Sequence, residues 1–381
     1  MIYLDNSATT RVLPEAADAA CRAMTEQFYN PASAYQPAVA TEKAVEEARA
    51  RLSSALGFTT EELLYTSGGT ESNNMAILGS LKPKRGKRRI LTTLGEHPSV
   101  YEVFRSLENE AETEVVFIGL NADGTANLEQ LAALLTADTA LVSLMHVNNE
   151  VGAVNDLASA AALIRRLSPD ALLHSDGVQA FCKRPFARPP VDLYSISAHK
   201  FHAPKGIGAL YVRNGFKFAG GQIGGGQERN LRSGTSNVPG ILGLDAALAV
   251  YRSNQERWIA QMRTCKEKLA KNLLSIPDAV INGPAPEEGA PHILSVSFPG
   301  VRGEVLVNAL SEREICVSTG SACSTHKKGQ NRILTAMGVA GVRAEGTLRF
   351  SFCPFNTPEE IDTVSGILSE QVAFLRRFRR R

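Results

Sequence analysis

Short apolar strands and amphipathic helices alternate along most of this chain, and that alternation limits the fold more than any other feature of the sequence. Leu63–Thr66, Arg89–Thr93, Val115–Leu120, Thr139–Val147, Ala171–Ser175, Asp192–Ser197 and Ile207–Arg213 read as strands. Helical stretches such as Thr41–Leu56 and Asp156–Leu167 separate several of them. In the first of these, Ala44, Val45, Ala48, Leu52 and Ala55 share one face and Gly57 ends the run. Strands that take turns with helices pair in parallel and need helices over both faces of the sheet. The order therefore predicts an α/β fold with a mostly parallel central sheet. Near Val238 the rhythm changes, and a long helical pattern containing Trp258 runs to about Ile276. Beyond Pro277 come strand Ile293–Phe298, helices Glu304–Ser311 and Asn331–Met337, strand Thr347–Phe352 and helix Pro358–Arg377. A domain boundary is expected inside the long helix near residue 253. It divides a large domain, 12–252, from a smaller α+β domain made of 253–381 together with 1–11.

A chain of 381 residues can bury a large core and has room for two domains. Its 44% hydrophobic and 21% charged residues are those of an ordinary globular protein. A formal net charge of +2 gives no pull toward nucleic acid or membrane. The run Arg376-Arg377-Phe378-Arg379-Arg380-Arg381 is a local exception and reads as a solvated helix end. Met1–Asp5 lacks the basic and apolar regions of a signal peptide, and no apolar run approaches the ~18 residues of a membrane span. The six cysteines are scattered without a Cys-x-x-Cys pair. A cytoplasmic protein with free thiols and no metal site is expected.

Polar clusters follow the strand ends. Asp192–Ser197 runs into Ser197, His199 and Lys200, and Pro204 and Gly206 then turn the chain. A lysine beside a hydroxyl and an imidazole suits Schiff-base chemistry, with Ser197 and His199 as donors to a phosphate. Ser67-Gly68-Gly69-Thr70 lies between a strand and a helix start, where glycines let the backbone approach a phosphate and free N–H groups await it. A plain N-cap by Ser67 or Thr70 would explain the same residues. His97, in Gly95-Glu96-His97-Pro98-Ser99, is placed either to stack on a flat ring and shuttle protons or to lie on a surface loop. His146–Glu150 and His174–Gln179 end two further strands. Ligands of open α/β sheets bind outside the carboxyl ends of the strands, so these clusters converge by topology. Asp176 could keep a pyridine nitrogen protonated, or cap the segment that follows it. Gly220–Gly226 is not followed by Gly-Lys-Ser/Thr, and reads as a tight turn that presents Thr235 rather than as a phosphate loop. Cys323 stands among small residues in Val317–Thr325 and reads as a reactive nucleophile, whereas Cys21, Cys182 and Cys265 read as buried thiols.

Leu4-Asp5-Asn6-Ser7-Ala8-Thr9-Thr10, Asn30-Pro31-Ala32-Ser33, Thr66–Asn73, His146–Gly152, Ser197–Gly208, Arg232–Thr235 and Ser318–Ser324 together resemble the cysteine desulfurases, in order and over nearly the whole chain. These are pyridoxal-phosphate enzymes of fold type I. The loop around Cys323 resembles the branch that supplies sulfur for iron–sulfur clusters and tRNA thiolation, and not the branch with Arg-x-Gly-His-His-Cys. The resemblance implies that Lys200 carries pyridoxal 5'-phosphate as a Schiff base. It implies that Asp176 pairs with the pyridine nitrogen, and that His97 stacks on the ring and moves protons. Gln179 and Asn149 would contact the ring or the substrate. Gly69, Thr70, Ser197 and His199 would hold the phosphate, joined by Thr235 from the other subunit of a homodimer. Arg349 would clamp the substrate carboxylate, with Asn30 nearby. Cys323 would take the sulfur of L-cysteine as a persulfide, leave L-alanine and pass the sulfur to acceptor proteins for iron–sulfur cluster, tRNA or thiamine supply. A selenocysteine lyase, or a related pyridoxal-phosphate aminotransferase or lyase, is the alternative on the same fold. No direct nucleic-acid or membrane contact is expected. In this chain Asn6 replaces a commoner tyrosine, Gly69 an alanine, Ala198 a glycine, and Gly177-Val178 an Ala-Thr or Ala-Ala pair.

Overall fold

After a short N-terminal strand, β1 (Ile2–Tyr3), the next seven strands form the central sheet of the computed structural model. They are β2 (Leu63–Thr66), β3 (Arg88–Thr93), β4 (Thr113–Ile118), β5 (Thr139–Ser143), β6 (Leu172–Asp176), β7 (Leu193–Ser197) and β8 (Gly208–Val212), in the order β2-β8-β7-β6-β5-β3-β4. All run parallel except β8, which is antiparallel to both β2 and β7. Strands β9 (Val280–Asn282), β10 (Ile293–Ser297) and β12 (Thr347–Ser351) make a second, antiparallel sheet, and β11 (Ile315–Cys316) pairs with β1. The structure describes residues 1–84, 86, 88–320 and 331–378, so Cys323 lies outside the described residues, as do Arg379–Arg381 of the basic tail.

The helices of the first part are α1 (Pro14–Thr25), α2 (Gln36–Leu56), α3 (Gly69–Leu81), α4 (Pro98–Leu107), α5 (Leu128–Leu134), α6 (Leu157–Leu167) and α7 (Val238–Leu273). They are followed by α8 (Gly303–Ser311), α9 (Arg332–Ala336), α10 (Gly341–Glu345) and α11 (Pro358–Arg376). The two-residue period of a strand sorts side chains to opposite faces. Leu63 and Tyr65 pack with Val45, Leu52, Ile164 and Leu244, while Leu64 between them packs with Met75, Phe104 and Leu141 on the other face. A further core gathers Leu4, Met262, Leu269, Val296, Phe350 and Leu368. Helix α7, 36 residues and therefore about 54 Å long, contributes Tyr251 and Trp258 to the first core and Met262 and Leu269 to this last one.

Three local readings need correction. The strand expected over Thr139–Val147 leaves the ladder after Ser143, because Asn148 turns the chain by accepting the N–H groups of Glu150 (2.9 Å) and Val151 (3.0 Å) on Oδ1. The strand expected to reach Leu120 ends at Ile118, since the Gly119 N–H is taken by Gln130 Oε1 at 2.6 Å. Cys21 is exposed rather than buried, because α1 turns Ala16 and Ala23 inward and leaves Cys21 on the opposite side. Cys182 and Cys265 are buried. Among the described residues no helix is long and apolar enough to cross a membrane.

Candidate active site

Five strand ends meet at one place. β2 leads to Gly69 and Thr70 at the start of α3, β3 to His97, and the turn after β5 to Asn149. β6 ends in Asp176 with Gln179 just beyond, and β7 ends in Ser197 with His199 and Lys200 beyond. Side chains from all five line a cavity of about 280 Å³, and Arg349 of β12 reaches it from the other sheet. The sheet's topology thus gathers residues spread from Gly69 to Lys200 at the carboxyl ends of its strands.

Helix α3 opens on Gly68 with no side-chain cap, so the Ser67 and Thr70 hydroxyls do not consume its first N–H groups. An uncapped helix start carries partial positive charge and bare donors, and Ser197 and His199 stand beside it. His199 bonds Thr9 Oγ1 through Nδ1 at 3.1 Å, and burial, helped by Lys200, holds its imidazole down to about 3. Two of the family departures fit one another here. A methyl group on Gly69 would press within 2.8 Å of Val178 Cγ2, and one on Gly177 would overlap the ring of Tyr194 at 2.0 Å.

Asp176 both caps and points. Its Oδ1 accepts the Val178 N–H at 2.9 Å, and its Oδ2 accepts from Asn73 Nδ2 at 2.8 Å. The other hydrogen of that amide goes to Ser99 Oγ at 2.8 Å, and Ser99 Oγ lies 2.8 Å from His97 Nδ1. His97 Nδ1 also accepts the Ser99 N–H at 3.1 Å. Both contacts make Nδ1 the acceptor, which leaves the proton of the neutral ring on Nε2. Burial keeps His97 below the ordinary imidazole range, Asp176 pulling the other way. Lys200 donates to the backbone oxygens of Ser7 (2.6 Å) and Ala8 (2.7 Å), and Gln179 Nε2 donates to the same Ser7 oxygen at 2.9 Å. Arg349 is held by Asp5 Oδ1 (2.7 Å) and Asn149 O (3.1 Å), which leaves its buried Nε without a partner among the described residues. Asn149 Oδ1 is likewise buried and unpaired among the described residues.

This donor set fits a flat, phosphate-bearing aldehyde. The uncapped helix start with Thr70, Ser197 and His199 suits a phosphate, Asp176 a ring nitrogen, and the Lys200 amine a carbonyl carbon. The unpaired Asn149 Oδ1 and Arg349 Nε are polar atoms whose burial calls for a ligand partner. Asn30 and Thr235 are not brought into this cavity. Both are exposed in the chain, Asn30 accepting the Ala32 N–H at 3.0 Å. The stretch leading to Thr235 is nonetheless fastened to the site, since Arg232 pairs with Glu71 in the first turn of α3 at 2.8 Å. Just before it, Glu228, Arg229 and Asn230 have φ of 44°, 56° and 63°, a left-handed turn held by the bidentate Arg49–Glu228 pair at 2.8 and 2.9 Å. Ser7, Ala8, Asn73 and Ser99 line the cavity but had no role in the sequence reading. Asn73 and Ser99 were detectable as the polar residues adjoining Thr70 and His97.

Glu96, next to His97, is fully buried, its Oε1 accepting from Met145 N (2.7 Å) and Thr93 Oγ1 (3.1 Å). Burial pushes its carboxyl from the ordinary 4.5 up to about 8, against those hydrogen bonds and with help from Asp176. A carboxyl raised on folding binds more protons in the folded state than in the unfolded one, so its stabilising effect is full below about 4.5 and is lost as pH rises toward 8. Urea midpoints of wild type relative to Glu96→Gln are therefore expected to fall between pH 5 and pH 8. A difference that stays flat across that window would contradict the buried neutral acid.

The aminotransferase class-V family model matches residues 2–364. A cysteine desulfurase of Trichormus azollae is 39% identical over 379 residues, covering 99% of this chain and 94% of that protein. Among solved structures, a NifS-like protein superposes with a TM-score of 0.92 at 36% identity, covering 98% of this chain and 99% of that one. SspA, solved in complex with cysteine, gives 0.81 at 29% identity, over 94% of this chain and 100% of its own. With the strand-end lysine, the aspartate and the bare helix start already together in one cavity, the chain belongs to the aminotransferase class-V family and, within it, to the cysteine desulfurases, which are pyridoxal-phosphate enzymes.

Proposed function

We propose that this chain removes the sulfur of L-cysteine, releases L-alanine and holds the sulfur as a persulfide on Cys323 for transfer to acceptor proteins. The observation that carries the reading is the convergence of Lys200, Asp176 and the uncapped start of α3 on one cavity. When bound there, pyridoxal phosphate supplies an electron sink that stabilises negative charge on the carbon bearing the substrate's amine. Thr70, Ser197 and His199 anchor its phosphate, and Asp176 keeps a proton on the ring nitrogen. Lys200 takes the proton from the substrate Cα and later returns one. His97, neutral and carrying its proton on Nε2, serves the substrate thiol. Arg349, preset by Asp5 and Asn149, binds the substrate carboxylate through its planar fork. The Cys323 thiolate then attacks the substrate sulfur. A sulfur–sulfur bond forms, the carbon–sulfur bond breaks, and its electron pair takes up a proton at the carbon that becomes the alanine methyl.

The exposed positions of Thr235 and Asn30 support a homodimer in which Thr235 serves the neighbouring subunit's phosphate site. A fully active monomer by light scattering at assay concentration would remove that part of the reading. A large cofactor domain over 12–252 and a small one over 1–11 and 253–381 accord with the separate cores at the two ends of α7. Sulfur supply for tRNA thiolation and a cytoplasmic site of action complete the proposal. With L-cysteine and a thiol reductant, alanine and sulfide are expected in equal amounts. An oxo acid in place of alanine would mark an aminotransferase instead.

A further inference from the structure

Behind the cavity wall lies a lysine that the chemistry above does not use. Lys183 is 2% exposed and is not among the residues that line the cavity. Its Nζ donates to Gln179 Oε1 at 3.1 Å, four residues back along the chain. The same oxygen lies 3.3 Å from Nε2 of His292, which is also fully buried. The other end of the amide, Nε2, donates to Ser7 O, and a carbonyl can only accept, so the orientation of Gln179 is settled. Ser7 O in turn receives Lys200 Nζ. A buried chain of contacts thus runs from Lys183 and His292 through the Gln179 amide to the carbonyl that holds Lys200.

The charged and titratable groups around Lys183 are Lys200, Arg349, Cys182, Cys353 and the imidazoles of His199, His202 and His292. Burial, with Lys200 next, lowers its amine to about 7, and no carboxylate among the described residues is hydrogen-bonded to it. A buried lysine that pairs with an amide instead of an acid adds little to stability, so packing alone does not explain its place. Turning the Gln179 amide over would set its oxygen against Ser7 O and its NH₂ against Lys183 and His292. The bonds to Ser7 O and from Lys183 would both be lost, and His292 would have to move its proton from Nε2 to Nδ1.

We propose that Lys183 is a positioning residue that fixes the Gln179 amide with its N–H side toward Ser7 and the cavity, and that it acts on the bound cofactor only through that amide. This rests on the proposed function in so far as the cofactor occupies this cavity. An N–H donor favours an ionised ring oxygen and a carbonyl oxygen disfavours it, so amide orientation is legible in the protonation of the chromophore.

The test is a pH titration of the visible absorbance of the cofactor-loaded protein. Lys183→Met, which keeps the length and removes the donor, is expected to move the midpoint by about one unit, tenfold in proton affinity. It is expected to lower kcat about tenfold, the size of one net hydrogen bond, with KM for L-cysteine changed less than about twofold. In a Gln179→Ala background the same substitution is expected to move the midpoint no further, since its only route is gone. His292→Phe removes the second donor and is expected to move the midpoint the same way but less, and it decides the matter if Lys183→Met does not fold. Midpoints that match wild type in the folded variants, or a Lys183→Met shift that persists without Gln179, overturn the proposal. A colourless wild type would instead overturn the cofactor reading itself, so the two failures are distinguishable.

Discussion

Replacing Cys323 with serine is expected to leave the protein yellow and able to bind L-cysteine, while persulfide formation and alanine release fall by several orders of magnitude. A thiol is a nucleophile only as thiolate, so its surroundings must lower its pKa or supply a base. Cys323 has Gly320, Ser321 and Ala322 before it and His326, Lys327 and Lys328 close behind, cations that favour the ionised form. The rivals lack that setting. Burial raises the Cys353 thiol, Cys182 and Cys265 are raised by burial as well, and Cys316 is paired into β11 against Tyr3. Cys316→Ser and Cys353→Ser are each expected to keep turning over L-cysteine. A persulfide-trapping label, located by peptide mass spectrometry while alanine is counted in parallel, decides between them. A label on Cys316 or Cys353, or alanine production that survives Cys323→Ser, would sink the assignment.

Lys200→Ala is expected to remove the visible absorbance of a lysine-bound pyridoxal Schiff base, on the order of 400–430 nm, and with it essentially all activity. The phosphate donors at the start of α3 and at Ser197 and His199 do not depend on Lys200, so the variant is expected still to retain cofactor, held non-covalently. Spectra after desalting, with the released pyridoxal phosphate measured after denaturation, check both parts. If Lys200→Ala keeps the wild-type absorbance band, a different amine carries the cofactor.

The sheet and the strand-end clusters were legible in the sequence because both are local. Each strand of the central sheet is a run of four to six residues, five of them lead shortly into polar residues of the site, and the topology of an α/β sheet then brings those ends together. What could not be read was carried by atoms without a residue signature, or by partners distant in sequence. The Lys200 amine is held by the backbone oxygens of Ser7 and Ala8, which any residue type could supply. The antiparallel sense of β8 depends on the chain turning back along β7, although its apolar run looks like those of the parallel strands. Gln179, Lys183 and His292 span 113 positions, and nothing in that spacing announces a contact. Cys21 was misjudged because a cysteine among alanines looks buried until the face of α1 that meets the core is known.

Helix α7 has a further consequence. Its two ends serve different cores, yet between Tyr251 and Met262 there is no cap, proline or glycine at which the helix could stop. Starting a new helix end in mid-run leaves backbone groups unpaired, and a helix is costly to nucleate but easy to extend. Melting the core around Leu269 and Phe350 therefore strips one face from a rod whose other end packs under the central sheet, and the two halves are tied into a shared cooperative unit. Trp258, the chain's single tryptophan, sits at the changeover, where it meets Tyr251 edge-on at 4.6 Å and Phe355 at 5.5 Å. The aromatic contacts at that point span both parts of the chain, so loosening on either side is felt at the same indole.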